Sequence, residues 1–204
     1  MATEIPADEV HLVRAARGGD SRAAGELIER HAPGVLTLLT RVLLDRHLAQ
    51  DMAQEAFLRA YKSLGRFDVD RGFGVWVRTI AYNLAIDQIR RKKRRGERLG
   101  FGGLDDDAAG DSGAAMDFED HREEPPEARI ERFEERALVR RVLDLLPAPS
   151  RAVLVLRDLD GLSYEEVAQV LDCPLGTAKS RINRARLEFR NMYLRLTRSI
   201  EERS

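Results

Sequence analysis

The sequence predicts an all-α protein of two small helical domains, an N-terminal helical bundle and a C-terminal helix-turn-helix domain, joined by a flexible acidic linker. Three observations carry this reading. Outside one central stretch, apolar residues recur at three- and four-residue steps, and no run alternates convincingly at period two. Aromatic residues make up only 6% of the chain and charged residues 34%, a balance that suits helices better than a sandwich or barrel. The charges also fall into three blocks of alternating sign. With 204 residues, 43% of them hydrophobic, the chain can build one medium domain or two small ones.

The formal net charge is −1, and this total hides the segments. Residues 90–98 carry seven basic side chains against Glu97, for a net of +6. Residues 105–127 carry ten acidic side chains against Arg122, for a net of −9. Residues 179–198 carry seven basic side chains against Glu188, again a net of +6. The acidic block also holds several glycines and the Pro125-Pro126 pair, with almost no apolar periodicity. It reads as a self-repelling linker. The expected division is therefore a domain over residues 1–98, a linker over 99–128 and a second domain over 129–204.

The first domain opens with short helices over Val10 to Arg17, Ser21 to His31 (with Asp20 as N-cap) and Val35 to Leu44. Leu48, Met52, Ala56, Phe57, Ala60, Tyr61 and Leu64 then form one amphipathic stripe. Phe73, Trp76, Val77, Ile80, Ala81, Leu84, Ala85 and Ile89 form the next. The segment between them, residues 65–72, has the glycines and aspartates of a loop. After the linker, Ile130, Phe133, Ala137, Leu138, Val142, Leu145 and Leu146 give a stripe ended by Pro147 and Pro149. Ser150 is expected to cap a short helix to about Leu159, followed by an Asp160-Gly161 turn. Ser163 and Glu166 have capping-box spacing. The helix they open buries Val167, Ala168, Val170 and Leu171, and residues 173–176 break it before a basic helix from about Thr177.

Several function classes are disfavoured. Cys173 stands alone, so neither an internal disulfide nor a thiolate zinc site is expected, and a reducing cytoplasm suits the chain. Its place is a small buried residue in the turn. His11, His31, His47 and His121 show no ligand spacing, and Asp105, Asp106 and Asp107 lie in the Gly-rich linker without a rigid scaffold. No metal, cofactor, catalytic residue or small-molecule substrate is expected. The first six residues lack the features of a signal peptide. The most apolar stretch, Val35 to Leu44, is too short and polar to span a bilayer. A cytoplasmic protein, not inserted in a membrane, is expected.

A short capped helix, a tight turn and a basic helix form the helix-turn-helix pattern. In the second helix Ala178, Ile182, Ala185 and Phe189 fall on a packing face. Lys179, Ser180, Arg181, Asn183, Arg184 and Arg186 spread over the rest. Arginine suits guanine edges, asparagine adenine, and lysine or serine phosphate. The plain alternative is an amphipathic helix with a solvated basic face. The block at residues 90–98 is equally two-sided: a helix end whose cations offset the macrodipole, or a phosphate contact.

Three segments resemble a known family: DMAQEAFLRAYKSLGRFD (residues 51–68), WVRTIAYNLAIDQIRR (76–91) and LRDLDGLSYEEVAQVLDCPLGTAKSRINRAR (156–186). They are similar to bacterial sigma factors of the extracytoplasmic-function group, part of the sigma-70 family. The resemblance implies a subunit that loads on core RNA polymerase, reads and melts promoter DNA, and answers to an anti-sigma factor. It implies that Asp51, Gln54, Glu55 and Arg59 dock on the clamp helices of the polymerase, with Phe57 kept as core. It implies that Phe67, Asp68, Arg71, Arg78, Asn83, Asp87, Arg90 and Arg91 serve the minus-10 element, Asn83 lining a pocket for a flipped base. Trp76 could stack on such a base, but its apolar stripe assigns it to the core. Lys179, Ser180, Arg181, Asn183, Arg184 and Arg186 match the minus-35 reading helix. The helices from Arg140 to Leu159 match the part that grips the polymerase flap. The acidic linker matches the segment that threads toward the RNA exit channel. An autonomous helix-turn-helix regulator is the alternative; the whole first domain stands against it.

Overall fold

The computed structural model describes residues 6–98 and 126–201, and among these there is no strand. The described helices are α1 (Ala7–Arg17), α2 (Ser21–Leu43), α3 (Arg46–Ser63), α4 (Phe73–Arg98), α5 (Pro126–Leu145), α6 (Ala148–Leu154), α7 (Tyr164–Val170) and α8 (Leu175–Glu201). Two 3-10 turns, Leu64–Arg66 and Val69–Arg71, join α3 to α4. A turn of π geometry, Val155–Leu159, follows α6. The described residues form helices and turns only, as the periodicity predicts.

Local chemistry accounts for three of the helix starts. The Asp20 carboxylate accepts from the Arg22 and Ala23 amides at 2.9 and 3.3 Å, and Asp45 accepts from the Leu48 amide at 3.0 Å. Each such N-cap is worth about 1 kcal/mol. The capping box at α7 is complete. The Ser163 amide donates to Glu166 at 2.7 Å and the Glu166 amide donates to the Ser163 hydroxyl at 3.2 Å.

Three expectations need correction. The two helices read over residues 21–44 are one, and Pro33 lies inside it. An interior proline costs about 3 kcal/mol through its missing amide and its crowding of the preceding turn. Leu27 before it and Val35, Leu38, Leu39 and Val42 after it are all buried. At roughly 1.5–3 kcal/mol per side chain, that burial outweighs the break. Ser150 does not cap α6, which starts at Ala148 behind Pro147. Prolines fit the first turn because its amides need no helical partner. The Ser150 hydroxyl instead donates to Glu188 at 2.7 Å, tying α6 to α8. Finally, α5 already begins at Pro126, so 126–128 are helical; the rest of the expected linker, 99–125, lies outside the described residues.

The N-terminal helices pack around Val13, Leu27, Val35, Leu38, Leu39, Val42, Val77, Ala81 and Ala85. The small Ala49, Ala56 and Ala60 of α3 lie fully buried beside them. The C-terminal helices close over Val142, Val153, Leu156, Val167, Val170 and Ile182.

The two groups of helices also meet, α2 against α6 and α4 against α7. Arg78 Nε donates to Asp160 Oδ2 at 3.2 Å, with side chains only 15% and 8% exposed. Gly34 leaves the room this needs, since a Cβ there would overlap the Arg78 guanidinium. Arg151 of α6 is buried and donates to the Asp144 carbonyl at 2.7 Å and to the Val42 carbonyl of α2 at 2.9 Å.

Candidate nucleic-acid interface

Helix α4 and the segment leading into it make the first polar surface. Gly72 ends the segment at φ +68°, a left-handed conformation that glycine adopts without strain. Phe67 is buried and stacks on Trp76 with centroids 4.4 Å apart, while Phe73 meets both rings edge-on. This aromatic triad anchors the segment to the bundle. Phe67 therefore sits beneath the surface, with Asp68 and Arg71 exposed above it.

Between α3 and α4 lies a groove of about 450 Å³, lined by Arg59, Ser63, Arg66, Trp76, Ile80, Asn83, Leu84 and Asp87. Asn83 and Asp87 stand on its polar side, both exposed. Trp76, half-buried, contributes an apolar wall and belongs at once to the aromatic core. The groove is of a size to take a nucleobase and offers both a ring face and amide, guanidinium and carboxylate groups. Of the residues read for the minus-10 element, Asn83 and Asp87 line it. Arg90 and Arg91 continue along exposed α4, Arg90 pairing with Asp87 at 3.7 Å. Arg78 does not line it, being paired with Asp160. Sequence reasoning missed Ser63 and Arg66; their adjacency to the loop was the available signal.

Helix α3 presents Asp51 and Gln54 fully exposed and Glu55 half-exposed, next to exposed Leu58 and Tyr61. Arg59 pairs with Glu55 at 2.6 Å and reaches the groove as well. It sits on the border of two surfaces that the sequence kept apart.

The second surface is the helix-turn-helix of α7 and α8. Ala178, Ile182 and Ala185 are completely buried and Phe189 half-buried against Tyr193, so the expected packing face is the observed one. Lys179, Ser180, Arg181, Asn183, Arg184 and Arg186 are all exposed. They are not equivalent. Arg184 pairs with Glu188 at 3.2 Å, and the Ser180 hydroxyl donates to the Thr177 carbonyl at 2.9 Å. Arg186 makes a two-pronged contact with Asp158, at 3.2 and 2.5 Å, and this hydrogen bonding holds its guanidinium well above the usual range. It ties α8 to the π turn. Lys179 lies 5.9 Å and Arg157 4.6 Å from the Tyr164 ring centre. Cys173, expected as buried, is half-buried.

Helix α4, which carries part of the first surface, packs on α7 of the second. Burial pushes the Tyr82 phenol of α4 up, against the pull of Arg181 and Arg90, with Cys173 adding to the rise. The start of the basic helix thus lies within electrostatic reach of α4. Among the described residues, no group of three His, Cys, Asp or Glu is placed to hold a metal ion. No helix there is long and apolar enough to cross a membrane.

Fold and surfaces together define the class: a two-domain helical protein that carries a base-sized groove on one domain and a helix-turn-helix on the other. Residues 27–95 match the Sigma-70 region 2 family, and residues 136–189 match the Sigma-70, region 4 family. The chain is 38% identical over 175 residues to the RNA polymerase sigma-H factor of Pseudomonas aeruginosa, covering 86% of this chain and 88% of that one. It is 35% identical, over the same shares, to the ECF RNA polymerase sigma-E factor of Escherichia coli K12. Among solved structures, the sigma factor RpoE of Bartonella quintana, in complex with the anti-sigma factor NepR, superposes with a TM-score of 0.62 at 21% identity. That match covers 82% of this chain and 94% of the other. This chain belongs to the extracytoplasmic-function group of the sigma-70 family.

Proposed function

We propose that this chain loads on core RNA polymerase in the cytoplasm, reads the minus-10 and minus-35 promoter elements and opens the first of them, performing no chemistry itself. The observation that carries the reading is the pairing, in one chain, of the α3–α4 groove with the α7–α8 helix-turn-helix. A regulator acting alone on duplex DNA has use for only the second. In this reading Asn83, with Asp87 and Arg66 around it, receives a base unstacked from the minus-10 strand. Arg71, Arg90 and Arg91 hold phosphates, and Asp68 edges the loop. Lys179, Arg181, Asn183 and Arg184 meet the minus-35 duplex through its major groove, with Ser180 on the backbone. Arg186 contributes by fixing α8. Asp51, Gln54 and Glu55, with the apolar Leu58 and Tyr61, form the polymerase-facing side of α3, and residues 140–159 the second polymerase contact.

The packing of α4 on α7 adds a constraint. Elements named minus-10 and minus-35 lie about 25 base pairs apart, roughly 85 Å along B-DNA at ~3.4 Å per step. Domains in direct contact cannot occupy both, so the arrangement described is a closed one that opens on the promoter. An anti-sigma factor, the kind of partner held by the Bartonella relative, has a closed form of this kind to capture.

The two surfaces separate in one experiment with holoenzyme on a promoter selected from a random library. Asn83→Ala should leave duplex binding within about twofold and lower permanganate reactivity of the minus-10 thymines. Lys179→Ala and Arg184→Ala should weaken duplex binding about tenfold, the loss of one good contact. Equal effects of all three variants on both readouts would contradict the division of labour.

A further inference from the structure

Helix α1 precedes the part of the chain that matches the Sigma-70 region 2 family, yet it reaches both ends of the segment that joins α3 to α4. At its N-terminal end, Glu9 has a side chain only 7% exposed. One carboxylate oxygen accepts from the Phe73 amide at 2.7 Å, 64 residues ahead, and the other meets His31 Nε2 at 2.9 Å. Phe73 opens α4, so its amide is one of the donors that a helix start leaves without a helical partner. A carboxylate there also complements the helix dipole. At the other end of α1, Arg17 donates from Nε to the Leu64 carbonyl at 2.9 Å and from Nη2 to the Phe67 carbonyl. These are carbonyls of the first 3-10 turn and of the residue that seats the aromatic triad.

The two contacts use one rigid element. Glu9 and Arg17 are eight residues apart on an unbroken helix, roughly 12 Å at ~1.5 Å per residue. Burial raises the carboxyl of Glu9, but the hydrogen bonds from His31 and the Phe73 amide outweigh it and hold Glu9 below the usual glutamate range. The carboxylate is therefore charged and fully engaged. Between the two anchor points the chain runs through residues 68–72, with Asp68 and Arg71 exposed.

We propose that α1 is a brace for promoter opening: Glu9 and Arg17 are positioning residues that fix the two ends of the 64–73 segment, and with it Arg66 and the start of α4, so that the groove and the loop beside it are set before an unstacked base arrives. The inference rests on the reading of the α3–α4 groove and the loop before α4 as the minus-10 surface. A loop already ordered loses less entropy when it captures DNA. Neither side chain touches DNA in this account, and neither contacts the α3 face assigned to the polymerase.

The test uses the full-length chain as holoenzyme on the selected promoter. Glu9→Gln keeps the volume but removes the charge, Arg17→Met keeps the stem but removes the donors, and Arg17→Lys keeps the charge with a single anchoring group. The expected result for Glu9→Gln and Arg17→Met is opening of the minus-10 region slowed about ten- to a hundredfold, the scale of misplacing a reacting group. Affinity for core polymerase, duplex binding and helix content should stay within about twofold, and Arg17→Lys should fall between. The proposal is overturned if opening is unchanged, or if opening, core affinity and helix content fall together, as they would for a merely structural role. Asn83→Ala runs alongside. If it slows opening while the α1 variants do not, only the brace fails. If it too leaves opening unchanged, the minus-10 reading fails and takes the brace with it.

Discussion

At the scale of single residues, charge and burial decide which side chains are structural and which face a partner. Glu9 is the sharpest case. Hydrogen bonds hold its folded carboxyl below the value it has unfolded, near 4.3 for glutamate, so its charge stabilises the fold above that range. That contribution is lost as pH falls through the depressed folded value. With His31, the Phe73 amide and Arg30 facing the carboxylate, the stability advantage of the wild type over Glu9→Gln should be present above the unfolded glutamate range. Urea unfolding should show it shrinking below roughly pH 4, and an advantage that grows in acid would contradict the assignment. None of this was legible beforehand. Asp20, Ser163 and Glu166 announced themselves because their partners lie two or three residues away. Lys179, Asn183 and Arg184 did so through helical spacing. Glu9, Arg17, Asp160 and Arg151 find partners 64, 47, 82 and 109 residues distant, and no local pattern encodes those.

At the scale of elements, periodicity was a good guide to which faces pack and a poorer one to where helices end. The buried positions of α7 and α8 are those the stripes indicated, since a 3.6-residue period needs no knowledge of the rest of the chain. The continuity of α2 through Pro33 was not legible, because the burial of Leu27, Val35, Leu38 and Leu39 that offsets the proline's local penalty depends on the rest of the fold. Pro147 and Pro149 misled in the opposite sense, as they stop α5 and also begin α6. The groove was half legible. Asn83 and Asp87 were named through the family resemblance, whereas Ser63 and Arg66 join them only because α3 and α4 pack side by side. Arg59 was read as a polymerase contact and stands on the rim of the groove.

At the scale of the whole molecule, the two groups of helices share one hydrophobic core, with the Arg78–Asp160 pair and the buried Arg151 to Val42 hydrogen bond running between them. Burial lifts the Asp160 carboxyl above the usual range despite the neighbouring Arg78 charge, so desolvation offsets much of the attraction. The pair specifies how the domains meet more than it holds them. Arg78→Asp should therefore open the free protein, raising its radius of gyration in X-ray scattering, and the double exchange Arg78→Asp with Asp160→Arg should restore the compact value. No change on the single substitution would show that the closure does not depend on this pair. The near-zero net charge is itself a property of the whole: the acidic segment offsets most of the two basic ones, and the rest of the chain supplies the remaining negative charge. The central claim concerns what that whole does with RNA polymerase. Purified chain added to core polymerase, with transcripts mapped across a library of random promoters, tests it most directly. The account predicts initiation at discrete start sites, each preceded by shared minus-10 and minus-35 sequences and dependent on the added chain. Failure to bind core, or binding to duplex DNA with no start sites of its own, would contradict it.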